Sequence, residues 1–270
     1  MKGTMLVFAA LCLILCWTLP VGSRKISFII NLPKANPSIQ MSMVEDAVDD
    51  MYCDCKDKMM KRVKNEYFKK ENTGTFAKVW KIEENCSKDR LKRKDKEDKA
   101  LTKDHMRAIC VYTSDYESFY ETFNAAVRTN RTVYNTSFPF HSLHFWLTFA
   151  LQILNNNKKC HTTYRRSKAE FTGDVKQIIR FGIFASSSYK TTLTMFGKKT
   201  CFKIKTCFGA YLKHYPHLGK VEQEVLIPPY EKFKITEKIK DKSVEGLEDC
   251  EVVYILKSAG VQSNVDCRAA

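Results

Sequence analysis

Apolar residues recur at helical spacing in the first half of the chain and in short runs in the second. Val44, Val48, Met51, Cys55, Met59 and Val63 follow one another at three to four residues with charges between, which predicts a helix from about Ser42. Phe76 to Ile82 reads as a second short piece, helical or irregular. Phe119, Phe123 and Val127 share one side of a helix over Tyr116 to Thr129. His141 to Leu154 is apolar nearly all round, the pattern of a buried helix, so His141 and His144 read as satisfied core histidines rather than ligands. Arg107 to Thr113 is rich in apolar and β-branched residues and reads as a first core strand.

After Asn155-Asn156-Asn157 the texture changes. Thr162–Arg165, Val175–Ala185, Thr200–Thr206, Glu224–Ile227, Lys232–Ile239 and Glu251–Ser258 are short, strand-like and punctuated by glycines. A helix-rich first half and a strand-rich second half predict an α+β fold. The expected division is a leader over residues 1–23 and one domain over 24–270, helical to about 158 and mainly β from 159.

The leader has a charged start at Lys2, an apolar run from Met5 to Trp17 and a small-residue cleavage site at Val21-Gly22-Ser23. A proline-bearing stretch over residues 25–40 reads as an extended arm. A secreted chain meets an oxidising compartment, so its cysteines are read first as disulfides. Cys12 and Cys16 leave with the leader. The nine remaining are Cys53, Cys55, Cys86, Cys110, Cys160, Cys201, Cys207, Cys250 and Cys267, an odd number that leaves at least one without an internal partner. None has zinc-ligand spacing with nearby histidines, so no metal is expected. Asn85, Asn130 and Asn135 head glycosylation sequons. The final Asp266-Cys267-Arg268-Ala269-Ala270 carries no hydrophobic tail, so no membrane anchor is expected.

The formal charge is +15, and loss of Lys2 leaves +14. Such a surplus favours anionic partners without choosing among them. Residues 87–104 concentrate charge, but the signs are mixed and aromatics are absent, which favours a solvated helix over a nucleic-acid arm.

Three polar features interrupt the apolar strands of the second half. Arg165 follows Tyr164. Ser186, Ser187 and Ser188 follow Phe181-Gly182-Ile183-Phe184-Ala185. Glu222 and Glu224 lead into Val225-Leu226-Ile227-Pro228-Pro229. Singly, each has a bland reading: a surface arginine, a polar strand end, a solvated edge. Glu222 and Glu224 read as the start of one strand, on which they share a face with their Cα atoms roughly 6–7 Å apart.

In that order the features resemble the vertebrate ecto-ADP-ribosyltransferases, of the arginine, serine, glutamate class. Further matches are Asp49-Asp50-Met51-Tyr52 with Cys55, Phe123-Asn124-Ala125-Ala126-Val127-Arg128, Ser142-Leu143-His144-Phe145 and Thr206-Cys207-Phe208-Gly209-Ala210. The resemblance covers most of the mature chain. It implies a helical N-terminal part, two crossed β-sheets and NAD as substrate in the cleft between them. It implies that Arg165 holds NAD, Ser186 is the motif serine, Glu224 is the catalytic glutamate, and Glu222 is linked to arginine as acceptor. Tyr112, Phe184 and Ser188 are expected beside the cofactor. Cys55–Cys267 and Cys160–Cys207 are the bridges that the resemblance implies. Cys86–Cys110 and Cys53–Cys250 are the expected remainder, with Cys201 single.

The residue chemistry agrees. A guanidinium fork suits a pyrophosphate. Cleavage of the nicotinamide–ribose bond builds positive charge on the sugar, which a carboxylate such as Glu224 stabilises in a water-poor cleft. An acceptor arginine needs a carboxylate to position it and take its proton, which suits Glu222. The chain departs from the family at Arg166, where glycine is usual, at Ile183, where a polar residue is usual, and in the loop from Tyr215 to Val221, about one residue longer than usual. The expected activity is transfer of ADP-ribose to protein arginines outside the cell. The alternatives are an NAD glycohydrolase and a catalytically weak cationic binding protein.

Overall fold

The computed structural model describes residues 38–156, 159–240 and 244–270. The leader and all of the arm before residue 38 lie outside the described residues. Among the described residues seven α-helices follow one short opening strand: α1 (Lys56–Arg62), α2 (Phe68–Glu71), α3 (Gly74–Ile82), α4 (Glu84–Lys92), α5 (Lys103–Tyr112), α6 (Phe119–Thr129) and α7 (His141–Leu154). A π-helical turn over Val63–Tyr67 joins α1 to α2. The strands are β1 (Ile39–Gln40), β2 (His161–Ser167), β3 (Phe171–Thr172), β4 (Ile178–Arg180), β5 (Ala185–Ser188), β6 (Thr200–Thr206), β7 (Ala210–Tyr211), β8 (Glu224–Ile227), β9 (Glu231–Ile239) and β10 (Val253–Val261).

Eight strands follow the order β4-β9-β10-β6-β2-β5-β8-β7, while β1 pairs with β3 apart from them. The junction between β2 and β5 is a single residue pair, Tyr164 with Ser188. The order therefore falls into a five-stranded and a three-stranded sheet that share one seam. One core fills the helical part and reaches β5, β7 and β8 through Phe184, Ala210 and Leu226. A second lies on the inner face of the five-stranded sheet, with Ile179, Ile183, Phe202, Phe233 and Leu256. Ile183 and Phe184 are consecutive yet serve different cores, so the chain crosses between them just before β5. Gly182 permits the crossing: its φ is +64°, and a Cβ there would sit 2.5 Å from a Val44 methyl.

Two expectations about elements are corrected. Arg107 to Thr113 is not a strand: its apolar residues lie on α5, which Thr102 opens with a capping box to His105. The helix expected from Ser42 starts only at Lys56. Val44 and Tyr52 take left-handed backbone conformations before it. The carboxylates of Asp49 and Asp50 there accept main-chain N–H groups of Asn264, Val265 and Cys267. A long-range side-chain ladder thus replaces the local helical one.

His141 and His144 are core residues. His144 Nε2 meets the Val48 carbonyl at 3.1 Å and Nδ1 meets the Tyr52 hydroxyl at 2.7 Å. Burial pushes its pKa down to about 3, so the ring is neutral.

Cys55–Cys267, Cys86–Cys110, Cys160–Cys207 and Cys201–Cys250 are bonded. Cys201 is therefore not single and Cys250 does not pair with Cys53, which is exposed and free. Cys201 is buried on β6 beneath Leu247, and the loop after β9 carries Cys250 to it. Cys53 instead sits beside Asp266, which accepts its N–H.

Candidate active site

The strand-borne residues converge on a cleft of about 710 Å³ lined by Arg165, Ser186, Glu222, Glu224, Tyr112 and Phe184. Arg165 is buried on β2 and donates to the carbonyl of Ser186 across the seam. Burial pushes its pKa down to about 9, partly offset by Tyr112 and Glu224 nearby, so the guanidinium remains cationic at neutral pH. A cation held dry beside an open cleft is a ready partner for an anionic ligand.

Glu224 opens β8 opposite Ser188, and Ser186 faces Leu226 two residues on. Period-two alternation therefore sets Ser186 on the same face of the sheet as Glu224. Glu222 reaches the cleft by another route. It precedes the strand, and Gln223 turns the backbone with φ +47°. The expectation that both glutamates share one strand face is thus corrected: a kinked turn, not strand alternation, brings Glu222 to the cavity.

Ser188 is also corrected. It does not line the cleft, and its hydroxyl donates to the Glu222 carbonyl at 2.5 Å and accepts from the Lys190 amide at 2.8 Å. It holds the turn that carries Glu222. Tyr112 is at the cleft, but from the C-terminal end of α5 rather than a strand. Its hydroxyl donates to the Phe184 carbonyl, and burial pushes its pKa up to about 12.

Asn124 was missed as a site residue. Its amide donates to the Tyr112 hydroxyl at 3.0 Å and to the Phe184 carbonyl at 3.3 Å, and its oxygen accepts from the Phe184 N–H at 3.2 Å. One side chain thus fixes α5, α6 and the entry to β5. A polar residue on the buried flank of an amphipathic helix is the signal that marks it. Asn130, the middle sequon, lines the cleft as well, while Asn85 and Asn135 are exposed elsewhere.

The departures are resolved by orientation. Arg166 points away from the cleft, because neighbours on a strand face opposite ways. Its guanidinium donates to Asp249 at 2.9 Å, to the Thr191 carbonyl at 2.8 Å and to the Gly246 carbonyl at 3.2 Å. It adds no second cation to the site. Ile183 lines the cleft as part of the second core.

The loop from Tyr215 to Val221 forms one wall through Pro216, Leu218 and Gly219. Arg90 on α4 donates to the carbonyls of Pro216 and His217, and His217 Nδ1 meets Glu83 at 2.6 Å. The Tyr215 hydroxyl donates to Asp98 at 2.5 Å. The charged segment after α3 is therefore more than a solvated helix: it fastens this wall. Metal-compatible groupings among the described residues are Glu83 with Cys86 and Cys110, and Asp50 with Asp266 and Cys267. Their cysteines are all disulfide-bonded, which removes the thiolates. No helix among the described residues is long and apolar enough to cross a membrane.

Comparisons with known proteins point the same way. The chain is 33% identical over 205 residues to the erythroblast NAD(P)(+)–arginine ADP-ribosyltransferase of Gallus gallus, covering 73% of this chain and 67% of that protein. It is 33% identical over 216 residues to ecto-ADP-ribosyltransferase 5 of Mus musculus, covering 75% and 69%. A solved structure of the eukaryotic mono-ADP-ribosyltransferase ART2.2, a point mutant in complex with NADH, superposes with a TM-score of 0.72 at 26% identity. It covers 86% of this chain and 100% of that one. A second ART2.2 mutant, in complex with NAD, has a TM-score of 0.70 at 27% identity, with the same coverage. Residues 41–248 match the family described as NAD:arginine ADP-ribosyltransferase, and with the cleft and fold above the chain belongs to that family.

Proposed function

We propose that this protein is an NAD–protein-arginine mono-ADP-ribosyltransferase that acts outside the cell, with residues 24–270 as one catalytic domain. The convergence of Arg165, Ser186, Glu222 and Glu224 on one cleft carries the reading. Arg165 holds the anionic diphosphate of NAD, and Ser186 hydrogen-bonds the ribose or orients Glu224. As the glycosidic bond breaks, its electron pair leaves with nicotinamide, and Glu224 stabilises the positive charge left on the sugar. The acceptor guanidinium, cationic below about pH 12, is positioned by Glu222 and gives a proton to it as its nitrogen bonds the ribose carbon. The leader and four disulfides support a secreted protein, and the three sequons suit glycosylation there.

Incubation with labelled NAD and agmatine tests the assignment by reading transfer and free ADP-ribose together. Glu224→Ala is expected to lose both by a factor of about 10² to 10³. Glu222→Gln is expected to lose transfer and keep hydrolysis. Retention of arginine transfer by Glu222→Gln refutes its role. A wild type that releases ADP-ribose without labelling agmatine is a glycohydrolase instead.

A further inference from the structure

The face of the five-stranded sheet opposite the cleft has a covered half and an open half. In the covered half Cys201, Leu247 and Val253 are buried together, with Tyr164, Cys250 and Ile255 packed against them. Arg166 is buried there as well, bonded to Gly246 and Asp249 of the covering loop. Cover thins along each strand. On β6 it runs from buried Cys201 through half-buried Lys203 to exposed Lys205. On β10 it runs from buried Val253 through half-buried Ile255 to exposed Lys257.

In the open half the register aligns like charges. Lys205 pairs with Lys257, and Lys257 pairs with Lys234. Three lysines thus stand side by side on adjacent strands, across about 10 Å at the usual strand spacing. Lys203 and Lys232 flank the row one step along β6 and β9. Exposed Glu237, beside Ile255, stands at the margin. The lysine ion pairs among the described residues involve Lys70, Lys88, Lys103, Lys198, Lys199 and Lys213, none of them in this row. Like charges directly opposite on neighbouring strands repel and destabilise the sheet. A polyanion laid across them removes the repulsion and releases its own counterions.

We propose that this lysine row binds a sulfated polysaccharide chain. A linear, densely charged polymer matches a row that crosses three strands. Four disulfides fit a compartment where such chains occur. Single-stranded nucleic acid is disfavoured: among the described residues the exposed large hydrophobics are Ile82, Val175, Ile178, Met195, Leu218 and Val221, none an aromatic platform for bases. The row lies on the outer face, so a bound chain leaves the cleft open.

The test is binding of a heparin oligosaccharide at several salt concentrations. It compares Lys205→Ala/Lys234→Ala/Lys257→Ala with a control of equal charge, Lys58→Ala/Lys64→Ala/Lys69→Ala, exposed on and near α1 and α2. The row variant is expected to stay folded by circular dichroism, and the slope of log affinity against log salt to fall by about three, roughly one per lysine. At physiological salt it binds at least tenfold more weakly, while the control changes by less than half as much on a logarithmic scale. Equal losses in both variants, no binding by the wild type, or displacement of the oligosaccharide by a single-stranded oligonucleotide at equal charge concentration overturns the proposal.

Discussion

Asp49→Ala is expected to be among the most damaging single changes outside the catalytic residues. Asp49 and Arg180 form an ion pair at 2.5 Å with both side chains fully buried. Arg180 also donates to the carbonyls of Met43 at 2.7 Å, Val44 at 3.1 Å and Gln262 at 3.0 Å. The other Asp49 oxygen accepts from the N–H groups of Asn264 at 2.7 Å and Val265 at 3.1 Å. The pair therefore pins the segment before α1, strand β4 and the chain after β10 at one point. Removing one partner of such a pair leaves a buried charge uncompensated, at a cost of about 3–5 kcal/mol. For a domain of this size each kcal/mol lowers the melting temperature by about 2–4 °C, so a loss of about 6–20 °C is expected. Thermal melts by circular dichroism, with disulfides kept oxidised, measure it. A second variant, Asp49→Ala/Arg180→Met, checks the cause. If the stray charge were the whole cost, removing Arg180 would restore stability. Here it also orphans three main-chain carbonyls, so the double variant is expected to recover only in part. A loss below about 1 kcal/mol in Asp49→Ala refutes the reasoning.

The Asp50 carboxyl is pushed up from 3.8 to about 7 by burial, against the Tyr134 hydroxyl and two main-chain amides that favour its anion. Because the folded value is the higher one, its stabilising contribution is full below about 3.8 and is lost as pH rises to about 7. Asp50→Asn is expected to flatten the curve of stability against pH across that window, and a curve parallel to wild type refutes the assignment. Cys201→Ala/Cys250→Ala opens a bridge that spans 49 residues and loosens the loop that holds Arg166, so urea denaturation is expected to show a loss of about 2–4 kcal/mol. A variant within about 1 kcal/mol of wild type makes that bridge dispensable.

Much of this molecule is written in local patterns. The limits of α7, β6 and β8 follow from apolar runs bounded by turn residues, because a segment buried on most sides needs little more than continuous hydrophobicity to be recognised. The order of Arg165, Ser186 and the two glutamates was legible because each residue stands at an apolar strand. Period and burial failed where distant partners decide. Arg107 to Thr113 has strand composition, yet a cap at Thr102 and the packing of α5 made it helical. Residues 42–55 have helical spacing, yet Asp49 and Asp50 spend their oxygens on amides more than 200 positions away. No local pattern records that exchange. Cysteine pairing likewise depends on which loop is folded over which strand, so Cys201 found Cys250 and left Cys53 free. For the same reason the sequence alone determined that Glu222 and Glu224 belong together, but only the tertiary structure decided how. Gln223 turns the backbone into a left-handed conformation, a buttress from Ser188 and a wall tied down by Arg90 aim Glu222 into the cleft, and these last two are contacts between segments far apart in the chain.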